Sequence, residues 1–177
     1  EALAQGQREF NWEEREQAPR DLGGSKRRGI GLGIGYHGAG GRGYDGLLRI
    51  TPDGLLQIHS GVGNLGTYSY ASNARTAAEV MQIPWERTVI HRGRSDRHLP
   101  HSSGQGGSNT VFTHARTNWV AGQDLITKMK EIAAMDLGGE PNEYEIGEER
   151  VFRSDDSSVG LTYAQTAQRA IELGGKY

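Results

Sequence analysis

The feature that most limits how this chain can fold is a hairpin pattern that runs directly into a glycine-rich loop. In GLLRITPDGLLQIHS, two apolar runs flank a Pro-Asp-Gly turn at 52–54, and this pattern predicts two antiparallel strands. The second strand leads into SGVGNLGT, where Gly61, Gly63 and Gly66 have G-x-G-x-x-G spacing. Backbone amides that meet between a strand and a helix favour anions, so this loop is the first candidate binding site.

A helix and another strand are predicted after this loop. Apolar residues recur at helical spacing from Tyr70 to Met81, and Pro84 ends the run. TVIHRG then has the composition of a strand. Residues 55–92 therefore have the order strand, loop, helix, strand.

The C-terminal half predicts two more helices around a small hairpin. The first is a long helix with one face turned inward, predicted by the apolar spacing in VFTHARTNWVAGQDLITKMKEIAAM. That face consists of Ala115, Asn118, Trp119, Gly122, Leu125, Ile126, Met129 and Ala133. YEI and RVF predict the hairpin, and LTYAQTAQRAIEL predicts a last helix that is capped by Thr162 and closed by Gly174-Gly175. The expected fold class is α+β, with a mixed sheet and packed helices.

The N-terminal segment differs in character from the rest of the chain. Residues 1–28 predict a short polar helix and a linker, and residues 29–177 predict the main domain. In GIGLGIGYHGAGGRG, glycines alternate with apolar residues, which predicts a strand with one face against another backbone or a ligand.

Composition excludes several classes of protein. The net charge of −2 gives no general electrostatic reason to expect nucleic acid as a partner. No apolar run approaches the roughly 20 residues of a membrane span, so we expect a cytoplasmic chain, or a periplasmic one if it is exported with a partner. The chain has no cysteine, so it cannot itself ligate an iron–sulfur cluster through thiolates.

A second polar glycine cluster strengthens the case for a ligand. LPHSSGQGGSNTVFTH is rich in hydroxyl groups and leads into the long helix. Two such loops suit a ligand with an extended, phosphate-bearing tail. An NAD(P) site would need an acidic residue about 20 positions after the glycines, whereas Asp96 lies some 30 residues after Gly66. Glycines that only permit a tight turn remain an alternative.

Ordered blocks along the chain resemble a known family. SGVGNLGT, AAEVMQIP, SDRHLP, GGSNT and ARTNWVAGQDLITKMKEIAA look like the second molybdopterin-binding domain of the large subunit in the xanthine dehydrogenase, aldehyde oxidase and carbon monoxide dehydrogenase family of molybdenum hydroxylases. The resemblance covers most of residues 28–177 and implies that residues 29–177 are part of that domain.

The resemblance implies a cofactor and the residues that bind it. The cofactor would be molybdopterin with molybdenum, in the cytosine dinucleotide form. The implied contacts come from Gly63, Asn64, Leu65, Gly66, Thr67, Tyr68, Gly106, Gly107, Ser108, Asn109, Thr110, His114, Arg116 and Thr117. Thr67 stands where the family commonly has glutamine, and Ala115 stands where it commonly has serine.

The resemblance also implies an incomplete enzyme. The family's glutamate base has no recognisable match here, so the catalytic residues are unknown and the chain is not expected to be catalytic alone. We expect one segment of a split or cleaved molybdenum subunit that oxidises an aldehyde or an aromatic N-heterocycle. Its partners would be the rest of that subunit, an iron–sulfur subunit and an FAD subunit. The alternative is a non-catalytic cofactor-binding or accessory module. An NAD(P)-binding domain is a further, less favoured alternative.

Histidines and arginines near the second loop invite two further interpretations. The histidines at 37, 59, 91, 98, 101 and 114 include no pair with the helical spacing of a zinc site, so no metal site is predicted. Arg92, Arg94 and Arg97 could pair with phosphate, but surface ion pairing is the preferred interpretation.

Overall fold

The fold was analysed on a computed structural model that describes residues 1–94, 96–97, 99–174 and 177. The chain divides into two compact units, Glu1–His37 and Gly38–Tyr177. In the first unit, α1 (Ala2–Glu9) and α2 (Trp12–Gln17) confirm the predicted polar helix as two short helices. Neither helix has a buried residue, so this unit has no helical core of its own.

The predicted strand in the glycine-alternating segment is wrong. Residues 29–37 have no strand assignment, and the Leu32, Ile34 and Tyr36 side chains are exposed. A Cβ at the glycines of this segment would meet nothing within 4 Å. A strand needs a partner for its backbone groups, and among the described residues this segment has none.

The second unit contains a mixed sheet that confirms the predicted hairpin and the strand after it. β1 (Leu47–Ile50) pairs antiparallel with β2 (Leu56–His59), and β2 pairs parallel with β3 (Thr88–His91). Leu56 and Ile58 point into the core with no exposed surface, whereas the alternate positions point to the outer face. The α+β class with a mixed sheet is therefore confirmed.

The predicted helix between β2 and β3 is broken into α3 (Ser69–Ser72) and α4 (Arg75–Val80). The break lies at Asn73, where side chains occupy the backbone acceptors. The Asn73 side chain donates to the Ser69 carbonyl at 2.9 Å, and Asn118 donates to the Asn73 carbonyl at 3.1 Å. The Ser69 carbonyl also accepts the Asn73 amide at 3.1 Å, so the helical bond there is kept. The Ala77 amide bonds to the Ala74 carbonyl at 3.0 Å, so the Asn118 bond takes the place of the bond that a continuous helix would make to Asn73.

The long helix α5 (Ala115–Leu137) connects the mixed sheet to a second sheet. A five-residue π turn, Thr110–His114, precedes it. Asn118, Gly122, Met129 and Ala133 are buried as expected, but Trp119 is 51% exposed, so its predicted inward position is wrong. Trp119 lies beside Asn118 at the edge of the buried stripe, where the helix surface already turns outward.

The second sheet is antiparallel and has one strand that the sequence pattern did not predict. β4 (Tyr144–Gly147) and β5 (Arg150–Arg153) confirm the small hairpin, and β6 (Gly160–Thr162) adds the third strand. Thr162 caps α6 (Tyr163–Leu173) as predicted, and Gly174 ends it. Gly175, the other predicted terminator, lies outside the described residues.

Candidate functional site

The two glycine-rich loops meet after the end of β2. A Cβ at Gly61 would overlap the carbonyl oxygen of Pro100 and lie 3.1 Å from the Ser102 amide nitrogen. Further along, the Gln105 side-chain amide donates to the Gly63 carbonyl at 3.2 Å. The absence of side chains at the glycines therefore lets the second loop pack directly on the first.

The first loop, Gly63–Tyr68, is open to solvent from Asn64 onward. Asn64 Oδ1 accepts the Gly66 amide at 2.9 Å and the Tyr68 amide at 3.4 Å. Two backbone amides of this loop are thus already bound to Asn64. Thr67 lies between them with its side chain exposed.

The second loop is anchored in the interior by Asn109, which is only 1% exposed. Its Oδ1 accepts the Arg42 amide at 3.1 Å and the Thr113 hydroxyl at 2.9 Å, and its Nδ2 donates to Ser103 Oγ at 3.0 Å. The segment before β1 is held against this loop as well, since the Gly40 amide donates to the Gly107 carbonyl at 2.9 Å. Asn109 is therefore committed to holding the loop.

Thr110 has a similar internal role. Its hydroxyl oxygen lies 3.2 Å from the Tyr44 hydroxyl, and both side chains are buried. Backbone contacts reinforce this arrangement, because the Asp45 amide donates to the His101 carbonyl at 2.9 Å. The exposed part of the predicted second-loop set is Gly106 and Ser108.

A buried serine–histidine pair links the start of the first loop to the helix that follows the second. Ser60 Oγ lies 3.2 Å from His114 Nε2 and accepts the Val62 amide at 3.0 Å. The Ser60 hydroxyl has a proton and a second lone pair besides the one used by Val62, so it can pair with either neutral tautomer of His114. Burial lowers the pKa of His114 to about 4, so the ring is neutral at pH 7.

His114 Nδ1 is buried and has no hydrogen-bond partner among the described residues. A buried polar atom without a partner costs free energy, and such atoms concentrate at functional sites. This orphaned atom lies at the place where both loops are joined.

Each loop also contains a non-glycine residue in the left-handed region. Tyr68 has φ 53° next to the first-loop glycines, and Ser108 has φ 55° directly after Gly107 at φ 60°. Such conformations cost about 1–3 kcal/mol each and collect at ligand-binding sites. Left-handed residues also turn neighbouring amides towards a common point, which is the geometry of an anion-binding nest.

Arg116 and Thr117 lie beside this junction, on the first turn of α5. The Thr117 hydroxyl donates to the Tyr44 carbonyl at 3.2 Å, and a Cβ at Gly46 would press on Thr117 Cγ2. Both residues line a groove of about 1390 Å³ that runs along β1, α5 and α6. The structure therefore brings most predicted residues to one junction and places these two on a neighbouring surface.

Surface ion pairing, the preferred interpretation of the three arginines, is confirmed for Arg94. Arg94 Nε donates to Asp96 Oδ1 at 2.8 Å, and Arg92 stacks over the Tyr70 ring at 3.6 Å. His98 lies outside the described residues. Within the described part of the chain, no group of three or more histidines and carboxylates could hold a metal ion. None of the described helices is long and apolar enough to cross a membrane.

Sequence reasoning did not single out Ser60, Gln105, Arg42 and Tyr44, which complete the junction. Ser60 has one signal, since it directly precedes the glycine motif. The other three contact the loops only through the fold, and their spacing in the sequence carries no pattern.

Comparison with known proteins gives a match over nearly the whole chain. The model of a molybdopterin cofactor-binding domain matches residues 5–176. The molybdenum-binding subunit PaoC of an aldehyde oxidoreductase from Escherichia coli O157:H7 is 26% identical over 180 residues, which cover 98% of this chain. The subunit of the same name from Escherichia coli K12 has the same identity and coverage. The chain spans 24% of the length of these relatives.

Solved structures share the fold. The Cu,Mo-CO dehydrogenase superposes with a TM-score of 0.64 at 23% identity, over 74% of this chain and 18% of that one. Quinoline 2-oxidoreductase from Pseudomonas putida 86 superposes with a TM-score of 0.61 at 20% identity, over 70% of this chain and 16% of that one. Both matches cover a minor part of the larger proteins.

Proposed function

Because the chain belongs to the molybdopterin cofactor-binding domain family, we propose that it is one part of a molybdenum-dependent oxidoreductase and binds the tail of the cofactor at the junction of its two glycine loops. Residues 29–177 then form part of the second molybdopterin-binding domain. The observation that carries this proposal is the direct packing of the loops at Gly61. A single exposed loop would offer no such junction.

The residues at this junction fit a phosphate-bearing ligand. Exposed polar groups come from residues 64–68 in the first loop and from Gly106 and Ser108 in the second. Tyr68 and Ser108 give each loop one residue in the left-handed conformation, which is typical of anion-binding nests. His114 Nδ1 adds a buried polar atom that has no hydrogen-bond partner among the described residues. When bound, the molybdenum–pterin group would supply the redox chemistry, which side chains cannot supply.

The chain's own contribution is binding and positioning. The amides and hydroxyls of the loops would hold the phosphates, and the buried anchors at Asn109, Thr110 and His114 would keep the loops in place. Arg116 and Thr117 would act at the groove side of the same loop. The proposal also specifies that the cofactor is in the cytosine dinucleotide form and that the partners are iron–sulfur and FAD units. The substrate would be an aldehyde or an aromatic N-heterocycle.

The test is cofactor analysis of the enzyme purified through a tag on this chain. We expect molybdenum and a pterin in roughly equimolar amounts, cytidine nucleotide on hydrolysis, and electron transfer from an aldehyde or an N-heterocycle. Cofactor without turnover would identify the non-catalytic binding module instead. A preparation with no pterin would overturn the proposal.

A further inference from the structure

Among the described residues, the outer face of the mixed sheet is covered less completely than the inner face. The register places Leu47, Arg49, Gln57, His59, Val89 and His91 on this face. Arg49 is exposed, and the flanking Leu47 and Val89 are 46% and 37% exposed. The inner-face residues Leu56 and Ile58 are instead fully buried.

This face is basic, although the chain as a whole carries a net charge of −2. His59 and His91 stack with ring centroids 4.7 Å apart on neighbouring strands. Burial first, and then the charges of His91, Arg49 and Arg97, lower the pKa of His59. The electrostatic contributions at this side chain are therefore all from basic groups.

The two arginines have no ion-pair partner among the described residues. No carboxylate lies within 4.0 Å of the Arg49 or Arg97 guanidinium in that part of the chain. Asp96, next to Arg97, is held by Arg94. The unpaired Arg49 guanidinium, on the same face as the exposed Leu47 and Val89, is complementary to an acidic protein surface.

The architecture limits what can cover this face. Purely parallel sheets are almost always covered by helices on both faces, and β2–β3 is a parallel pair within this mixed sheet. Four-residue strands extend about 13 Å, and three strands span about 10 Å in width. One helix, with a diameter of about 10 Å, matches this area.

We propose that the outer face of the mixed sheet binds one amphipathic helix that carries carboxylates beside a short apolar stripe and belongs to another part of the same enzyme. This chain spans 24% of the length of the curated relatives. The rest of each relative is therefore long enough to supply such a helix. This inference rests on the proposed function only in taking the chain as part of a larger enzyme.

The test is site-specific photocrosslinking in the purified complete enzyme. A benzophenone amino acid replaces Gln57, which lies between Arg49 and Val89 on the face. We expect a crosslink to a helical peptide that carries at least two carboxylates and is not a copy of this chain. The same probe at Gln123, exposed on α5, is the matched control and should not capture that peptide.

Charge reversal then tests the electrostatic component. In the Gln57 probe protein, Arg49→Glu with Arg97→Glu should lower the crosslink yield about tenfold, because each new carboxylate repels the acidic helix. Arg49→Lys with Arg97→Lys should retain most of the yield. Arg8→Glu, a reversal on the exposed helix α1, should change it less than about twofold.

Melting curves confirm that each variant is folded, and cofactor content is measured on the same preparations. A crosslink to an acid-poor segment, a crosslink to a second copy of this chain, no crosslink, or a yield that is insensitive to charge reversal overturns the inference. A preparation of the unsubstituted enzyme that gives the crosslink but contains no pterin counts against the proposed function instead, so the two failures are distinguishable.

Discussion

The two glycine-rich loops lie against each other but are held in opposite ways. The second loop is fixed from inside by Asn109 and Thr110, both less than 10% exposed. The first loop is exposed from Asn64 to Tyr68 and is closed by an Asn64 side chain that is itself exposed. The comparison indicates a rigid loop beside an adaptable one, so changes in the second should affect stability and changes in the first should affect ligand binding.

The largest effect is expected where the two loops touch. Gly61→Ala places a methyl group on the Pro100 carbonyl, and a backbone atom cannot swing aside as a side chain end can. We expect a loss of about 3 kcal/mol or more in the free energy of unfolding, measured by urea denaturation, together with loss of bound cofactor.

Gly63→Ala is the matched control for stability. A Cβ there would meet only the Gln105 side-chain oxygen at 3.4 Å, which is an ordinary contact. We expect a change below about 1 kcal/mol. Equal losses for both alanine variants would show that the loops do not depend on close packing at Gly61.

The next effect is a pH dependence that comes from the serine–histidine link. Burial lowers the pKa of His114 from 6.5 to about 4, so between these values the unfolded state binds a proton that the folded state does not. The stability contribution is complete above pH 6.5 and is lost as the pH falls to about 4. This loss amounts to about 3 kcal/mol.

Unfolding measured from pH 7 to pH 4 in wild type and His114→Gln checks this. The variant should be less stable at pH 7 and should lose less on acidification, because glutamine does not titrate. The carboxylates with lowered pKa values, such as Asp155, contribute only at lower pH, since their ordinary pKa is already 3.8. Parallel curves for the two proteins would exclude His114 as the source.

The smallest stability effect separates the two loops directly. Asn109→Ala removes three hydrogen bonds from a buried site and should cost about 2 kcal/mol or more. Asn64→Ala removes two exposed bonds and should cost less than about 1 kcal/mol, yet it should change cofactor content because it frees the Gly66 and Tyr68 amides. Equal costs would contradict the distinction between a rigid and an adaptable loop.

Much of the fold was predictable because its signals are local. The Pro-Asp-Gly turn predicted the β1–β2 hairpin, and Thr162 predicted the start of α6 through a capping bond to the Gln165 amide at 3.1 Å. The failures depend on distant partners. Residues 29–35 have a strand pattern, but no strand of the described part of the chain lies beside them. The helix after the first loop is broken because Asn118, 45 residues away, bonds to Asn73.

The candidate site was predictable in part for the same reason. Glycine spacing and hydroxyl content identified both loops, since these residue types have the required conformations and donors whatever their surroundings. Which residues face outward was not predictable: Asn109 and Ser108 are neighbours in one polar run, yet one anchors the loop and the other is exposed.

The sequence alone determined the hairpin, the helix caps, the α+β class and the two loops, because turn chemistry, capping and periodicity act over a few residues. Only the tertiary structure decided that Gly61 lies against Pro100, that Ser60 bonds to His114, and that Arg116 and Thr117 line a separate groove. Those outcomes depend on how sheets and helices pack, and packing joins residues whose separation along the chain leaves no local pattern.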